Sequence, residues 1–315
     1  MRTLRSLTIA AALTAIAATG CVQPNDDLHP AARVIPTSEQ VAIKLPDKGT
    51  ARTVGQLAPW YVATRNVTRT LNGGTAWVLV VVHAVVQFPP TETNGDTATW
   101  GPWDDGPLAP ARYRLTVTAL ADGSYDWSLD GQNKTNPGSG FISVVNGNAV
   151  PSVPEGEGTG HFSIDFDNGA IVNPVDNGDA RGTLDVAYDL AARTLDIDAV
   201  SAEDRGGVLV PVQYHYTYGE AVDGSGNMTF ATHGDTEDAG TAAEDGVVRS
   251  RWLATGAGRT DLRLSGGDLG AVQVTASECW DTSFRETYYT DSASYLPTEG
   301  DPASCVYADQ DLPSL

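Results

Sequence analysis

From Arg112 to Tyr289 apolar residues recur at every second position, the period of a strand with one buried face. In 113–119, Tyr113, Leu115 and Val117 share one face, and Arg114, Thr116 and Thr118 take the other. The same alternation aligns Tyr125, Trp127 and Leu129, then Phe162, Ile164 and Phe166, then Leu184, Val186, Tyr188 and Leu190. It returns in Leu195 and Ile197 and in Val210, Val212, Tyr214, Tyr216 and Tyr218. With 140–146, 227–233, 247–253, 260–265, 271–277 and 283–289, twelve strands are expected. Five Asp-Gly pairs (first residues Asp105, Asp122, Asp130, Asp223, Asp245) and five Asn-Gly pairs (Asn72, Asn94, Asn146, Asn168, Asn177) supply turn chemistry. Alternation with short turns implies an antiparallel meander. So long a meander leaves costly open edges unless it curls or closes. The expected fold is mainly β, a meander closing into a barrel or strongly curved half-barrel; two stacked sheets are the alternative. An outer-membrane barrel fits less well, because the second face carries Asp, Arg, Ser and Thr where lipid demands an apolar band.

One segment departs from this pattern. Pro59 can open a helix, since the first turn does not need its missing N–H. Trp60, Thr64, Val67 and Leu71 follow at helical spacing, and Asn72-Gly73-Gly74 reads as a helix stop. Residues 75–88, TAWVLVVVHAVVQF, contain no Asp, Glu, Lys or Arg. Six valines favour a strand. The length and the Pro89-Pro90 stop favour a helix buried on all sides, which is the reading adopted. The apolar 59–88 segment is expected to fill the concave side of the sheet, packed on the strands that carry Tyr113, Phe162, Ile164, Val186 and Val212.

The amino terminus, MRTLRSLTIAAALTAIAATG, has a basic start at Arg2 and Arg5 and an uncharged stretch from Leu7 to Ala18. That stretch is too short to span a bilayer and reads as the core of a signal peptide. It ends in Ala18-Thr19-Gly20-Cys21, which resembles the lipobox of bacterial lipoproteins, with Ala18 where the family usually has Leu. The resemblance covers only these residues. It implies cleavage before Cys21, a lipid on the Cys21 thiol, and a membrane partner reached through that anchor. The alternative is an ordinary secretory signal with a nearby cysteine. Val22 is not the Asp that often retains such proteins at the inner membrane, so the resemblance implies the outer membrane of a two-membrane bacterium.

Of the three cysteines, Cys279 and Cys305 then remain as an even pair in an exported, oxidising compartment, where a disulfide is favoured over free thiols. Closing that loop is worth roughly 3–4 kcal/mol in the chain-entropy account. The expected organisation is a signal peptide at 1–20, a lipid-anchored flexible tether at 21–52 and one β-rich domain at 53–315. The tether carries Pro24, Pro30, Pro36 and Pro46. Its short alternation Val41, Ile43, Leu45 is a candidate for docking, and some thirty residues would reach roughly 30 Å. No other stretch reads as a membrane span.

Charge narrows the partners. With 19 Lys and Arg against 40 Asp and Glu, the net charge is −21. This excludes nucleic acid, whose phosphates need cations, and opposes adsorption to anionic lipid. A protein or apolar-ligand partner is not named by the sequence. No catalytic set, cofactor or metal site stands out. The five histidines, His29, His83, His161, His215 and His233, form no metal motif. His83 reads as a satisfied core histidine and His215 as a cross-strand histidine rather than a general base. Gly138-Ser139-Gly140 and Gly224-Ser225-Gly226 lack the nucleophile-elbow pattern, and Gly156, Gly158 and Gly160 lack a dinucleotide context. Asp165-Phe166-Asp167-Asn168-Gly169 and Asp176-Asn177-Gly178-Asp179 read as hairpin turns rather than Ca²⁺ loops. Trp100 and Trp103, flanking Gly101-Pro102, are the candidate ligand or partner contacts, with plugging one end of the barrel the favoured role. The function expected is a structural or binding role in the cell envelope, without catalysis. The rivals are a carrier of lipid or another apolar ligand, with 59–88 as its lid, and a hydrolase using paired carboxylates.

Overall fold

The computed structural model describes residues 29–47, 57–104, 106, 108–204, 209–235 and 242–312. The signal-like segment and Cys21 lie outside the described residues. Among the described residues the α-helices are α1 (Ala31–Val34), α2 (Pro59–Val86), α3 (Phe166–Val172) and α4 (Pro174–Asn177). The strands begin with β1 (Glu92–Asn94), β2 (Thr97–Asp104), β3 (Ala111–Ala119), β4 (Tyr125–Asn133) and β5 (Ile142–Val150). Next are β6 (Thr159–Asp165), β7 (Thr183–Asp189), β8 (Thr194–Asp204), β9 (Leu209–Glu220) and β10 (Gly226–Gly234). The last are β11 (Glu244–Trp252), β12 (Gly258–Gly266), β13 (Gln273–Trp280), β14 (Glu286–Asp291) and β15 (Glu299–Gly300).

All fifteen strands belong to one antiparallel sheet whose order is the order of the chain. The alternation therefore does build a meander, and the twelve expected strands fall on β3–β14. The order ends at β1 and at β15, so the described strands do not close into a barrel. Both end strands are short, three and two residues, which limits the unpaired edge each presents.

Turn chemistry explains only part of the meander. Asp122-Gly123-Ser124 and Asp223-Gly224-Ser225 make matching turns, with positive φ at each glycine. In each, the Asp carboxylate accepts from the Ser backbone N–H and hydroxyl. These hydrogen bonds hold the Asp122 and Asp223 carboxyls below their usual range. Asp130-Gly131, Asn146-Gly147 and Asp245-Gly246, by contrast, sit inside strands, and Asn168-Gly169 sits inside α3. The glycines in strands serve a different purpose. Gly147, Gly160, Gly226 and Gly258 lie under the cross-strand rings of Trp127, Tyr188, Trp252 and Trp280, where a Cβ would collide with the ring.

Residues 75–88 are helical up to Val86, and the helix passes straight through the stop expected at Asn72-Gly73-Gly74. Two glycines in a helix cost roughly 1 kcal/mol each. Burying Val78, Leu79, Val82 and Val86, all fully buried, returns roughly 1.5–3 kcal/mol per side chain, so continuation wins. The sequence pattern implies burial on all sides, and the structure buries only one side. Tyr61, Thr64, Thr68, Leu71, Thr75, Val78 and Val82 form a buried stripe at steps of three and four, while Val80 and Phe88 are each 48% exposed. At 28 residues, α2 is also long and apolar enough to cross a membrane by length and composition, which the fourteen-residue reading missed.

The chain divides into two compact units: up to Ala42 with Thr70–Ala191, and Ile43–Arg69 with Ala192–Leu315. No linker marks the division, because it falls inside the meander. In the first unit Leu115, Val117, Trp127, Leu129, Phe162, Ile164 and Val186 are buried as their alternation requires. Part of the stretch expected to be a flexible tether packs here. Ala31, Ile35 and Val41 are buried, and Ile35 and Pro36 present their carbonyls to His83 Nε2 at 2.8 and 2.9 Å. In the second unit Ala58, Tyr61, Trp280 and Phe284 form a cluster, with Leu45 and Leu57 packed on it. Tyr61 stacks on Phe284 at 4.4 Å, and its hydroxyl donates to the Pro46 carbonyl.

Candidate functional site

Trp100 and Trp103 do not form a pair of exposed platforms. Both lie on β2 rather than on a loop, and the register with β3 shifts between them. The shift sets Trp100 opposite Leu115 and Trp103 opposite Tyr113, so two residues three apart face the same side of β3. Trp100 is buried, its indole N–H donates to the Phe88 carbonyl at 2.8 Å, and its ring meets His29 edge-on at 5.0 Å. Trp103 is half-buried beside Tyr113, at 6.4 Å between centroids.

Cys279 and Cys305 are disulfide-bonded, with Cα atoms 5.4 Å apart. The bond lies at the edge of a buried ionic cluster on β11–β13. Asp261 is fully buried and accepts from Arg259 Nε at 2.7 Å, Arg251 at 3.0 Å and the Ser277 hydroxyl at 2.7 Å. It also accepts the Asp311 backbone N–H. The two arginines in turn donate to the carbonyls of Tyr307, Ala308 and Asp309. The cluster therefore pins the C-terminal segment to the sheet.

The most perturbed carboxyl is Glu278 on β13. It is fully buried, and its Oε1 accepts the Trp60 backbone N–H at 2.9 Å, at the first turn of α2. A helix amino terminus offers unpaired N–H groups and partial positive charge, so a carboxylate from the sheet serves as its cap. Burial pushes the Glu278 carboxyl up to about 8, the Trp60 N–H opposes that rise, and nearby Glu286 adds to it. Burial also raises Glu286. Sequence reasoning missed this residue, whose partner is 218 positions away. Nearby, the hydroxyls of Thr64, Ser250 and Thr260 form a buried chain with two 2.7 Å links, while Thr68 and Thr75 donate to helix carbonyls at Thr64 and Leu71.

A pH signature follows for Glu278. In the unfolded chain its carboxyl titrates near 4.5 and in the folded chain near 8. Between those values the folded state holds the extra proton, so stability is present below pH 4.5 and is lost as pH rises towards 8. Glu278→Gln keeps an oxygen to accept from Trp60 and removes the titration. It should be more stable than wild type at pH 8 by on the order of a few kcal/mol, and match it near pH 4.5. Thermal unfolding of both proteins across that range checks this; parallel curves for the two would contradict it.

Comparison with family models finds no match to this chain, and comparison with curated proteins and with solved structures finds none either.

Among the described residues one arrangement has metal-ligand spacing. On β8 and β9, Asp196, Asp198 and His215 bring ligand atoms within 4.8 Å of one another. His215 Nδ1 is 2.8 Å from Asp198 and 3.8 Å from Asp196. The three side chains are open to solvent, and Asp198 and His215 are directly opposite in the register. This is the cross-strand histidine expected from the sequence. The acidic turns are engaged internally. Asp165 caps α3 by accepting the Asn168 N–H at 2.7 Å, Asp167 accepts from Gly182, and Asp176 accepts from the Asn173 side chain. Those residues form helix caps where hairpin turns were expected. In the first unit a recess of about 530 Å³ lies between the 30–40 stretch and the β5–β6 connection. Its lining mixes Pro30, Val34 and Leu190 with Arg33, Gln40 and Glu155.

Proposed function

We propose that the protein is a lipid-anchored component of a bacterial cell envelope, held at the outer membrane through Cys21, with a structural or binding role and no catalytic one. The observation that supports the non-catalytic reading is the state of Glu278. The carboxyl best suited by its raised pKa to acid–base work is fully buried and occupied by the first turn of α2, out of reach of a substrate. The apolar-carrier rival needs an enclosed apolar cavity, and the mixed lining of the recess at Arg33, Gln40 and Glu155 does not favour it. Within each unit, one-sided strand burial and the buried stripe of that unit's part of α2 support a sheet that bends around the helix.

The anchor reading rests on the Ala18-Thr19-Gly20-Cys21 string. Cys21→Ala should move the protein from the membrane pellet to the soluble fraction of lysed cells. Retention of the variant in the pellet as firmly as wild type would overturn the anchor.

A further inference from the structure

The outward side of α2 changes character along its length. Past the opening Pro59, the exposed residues of its first part are polar: Asn66, Arg69 and Thr70. Beyond Gly73 the same side carries Trp77, Val80, Val81, Ala84 and, just past the helix end, Phe88. These five fall within about 60° of one direction on the helix at 100° per residue. Val80 and Phe88 are each 48% exposed, Ala84 is exposed, and Trp77 and Val81 are half-buried. A surface helix ordinarily presents polar residues there. An apolar run at one end of an otherwise acidic protein therefore marks a contact surface.

The amino-terminal chain indicates what covers it. The first described residue, His29, lies edge-on to Trp100, and the Trp100 indole donates to the carbonyl of Phe88. The described chain thus starts beside the apolar end of α2. Cys21 is only eight residues upstream of His29. Fully extended, eight residues span at most about 29 Å, and as a flexible coil about 16 Å. From Trp77 to Phe88 is itself about 16 Å along a helix axis. A lipid on Cys21 therefore brings the bilayer within reach of this surface, much nearer than a free tether of thirty residues would require. The chemistry agrees. The surface has a tryptophan, the residue favoured at the membrane interface, together with aliphatic side chains and no cation, so it suits the apolar interior of a neutral bilayer rather than anionic headgroups.

We propose that the outer face of α2 at Trp77, Val80, Val81, Ala84 and Phe88 lies in the surface of the membrane that holds the lipid anchor, so that the protein rests on the bilayer rather than standing off from it. This rests on the lipoprotein reading of Cys21. The contact is a supplement to the anchor, since a few half-exposed side chains bind a bilayer weakly, and the loss of membrane association expected for Cys21→Ala still holds.

The experiment uses the full mature protein, purified with its lipid and reconstituted in vesicles of zwitterionic phosphatidylcholine. Val80→Cys, Ala84→Cys and, as control, Asn66→Cys each receive a nitroxide. Collision with apolar oxygen and with a water-soluble nickel chelate is then measured. The expected result is loss of nickel collision at 80 and 84 with strong oxygen collision, and the reverse at 66. Nickel collision at 80 and 84 equal to that at 66 overturns the proposal, because the face is then in water. Shielding from both reagents also overturns it, because another protein surface then covers the face. The mass of the same preparation shows whether Cys21 carries lipid. A lipidated protein with labels in water defeats only this proposal, whereas an unlipidated one defeats the anchor reading.

Discussion

Val82→Asp should prevent folding, or lower stability by more than about 4 kcal/mol. Val82 is fully buried on the inner side of α2, four residues from each of Val78 and Val86, which are also fully buried. The substitution forfeits roughly 1.5–3 kcal/mol of apolar burial and places a carboxylate where no partner is available. Val80→Asp supplies the contrast. It makes the same chemical change two residues away on the half-exposed side, and it should cost about 1 kcal/mol or less in detergent. Thermal unfolding of the two variants checks the pair. Equal losses would mean that the stripe does not define which side of α2 is core.

Asp261→Ala should cost about 3–5 kcal/mol, because it leaves buried Arg259 without its carboxylate and Arg251 with only the more distant Asp311 at 3.5 Å. Arg259 loses its 2.7 Å partner and Arg251 its 3.0 Å partner, and neither arginine has free access to water. Ser277 and the backbone of Asp311 lose an acceptor as well. A downward shift of the melting midpoint on the order of 10 °C follows. Asp245→Ala, which removes the exposed pairing with His233 at 2.7 Å, should shift it little, since exposed pairs contribute only about 0–1 kcal/mol. Similar shifts for the two variants would contradict the distinction between the clusters.

These two sites also show what a linear sequence carries. Alternation was legible because each strand needs only its own residues to declare a buried face, so β3–β14 and residues such as Phe162, Val186 and Val212 could be read directly. The disulfide was legible because only two cysteines remained once Cys21 was set aside. The Gly pairs were ambiguous. Gly123 and Gly224 turn the chain, whereas Gly147 makes room for Trp127, and that difference depends on the strand alongside. β1 and β2 were missed because Trp100, Gly101 and Pro102 interrupt the alternation at a register shift. Arg259 and Asp261 read as an ordinary polar strand face. They are buried because the segment around 307–311 crosses them, a contact about fifty residues distant. Glu278 was invisible for the same reason, since its raised pKa comes from burial at the start of a helix more than two hundred residues earlier. Charged groups on strands thus take their meaning from non-local neighbours, and apolar alternation does not.

The account of an anchored envelope protein is tested most directly by the mass of the N-terminal peptide of protein extracted from membranes. The predicted peptide begins at Cys21 and carries the added mass of acyl chains. A peptide that begins elsewhere, or a Cys21 with an unmodified thiol, would contradict the account.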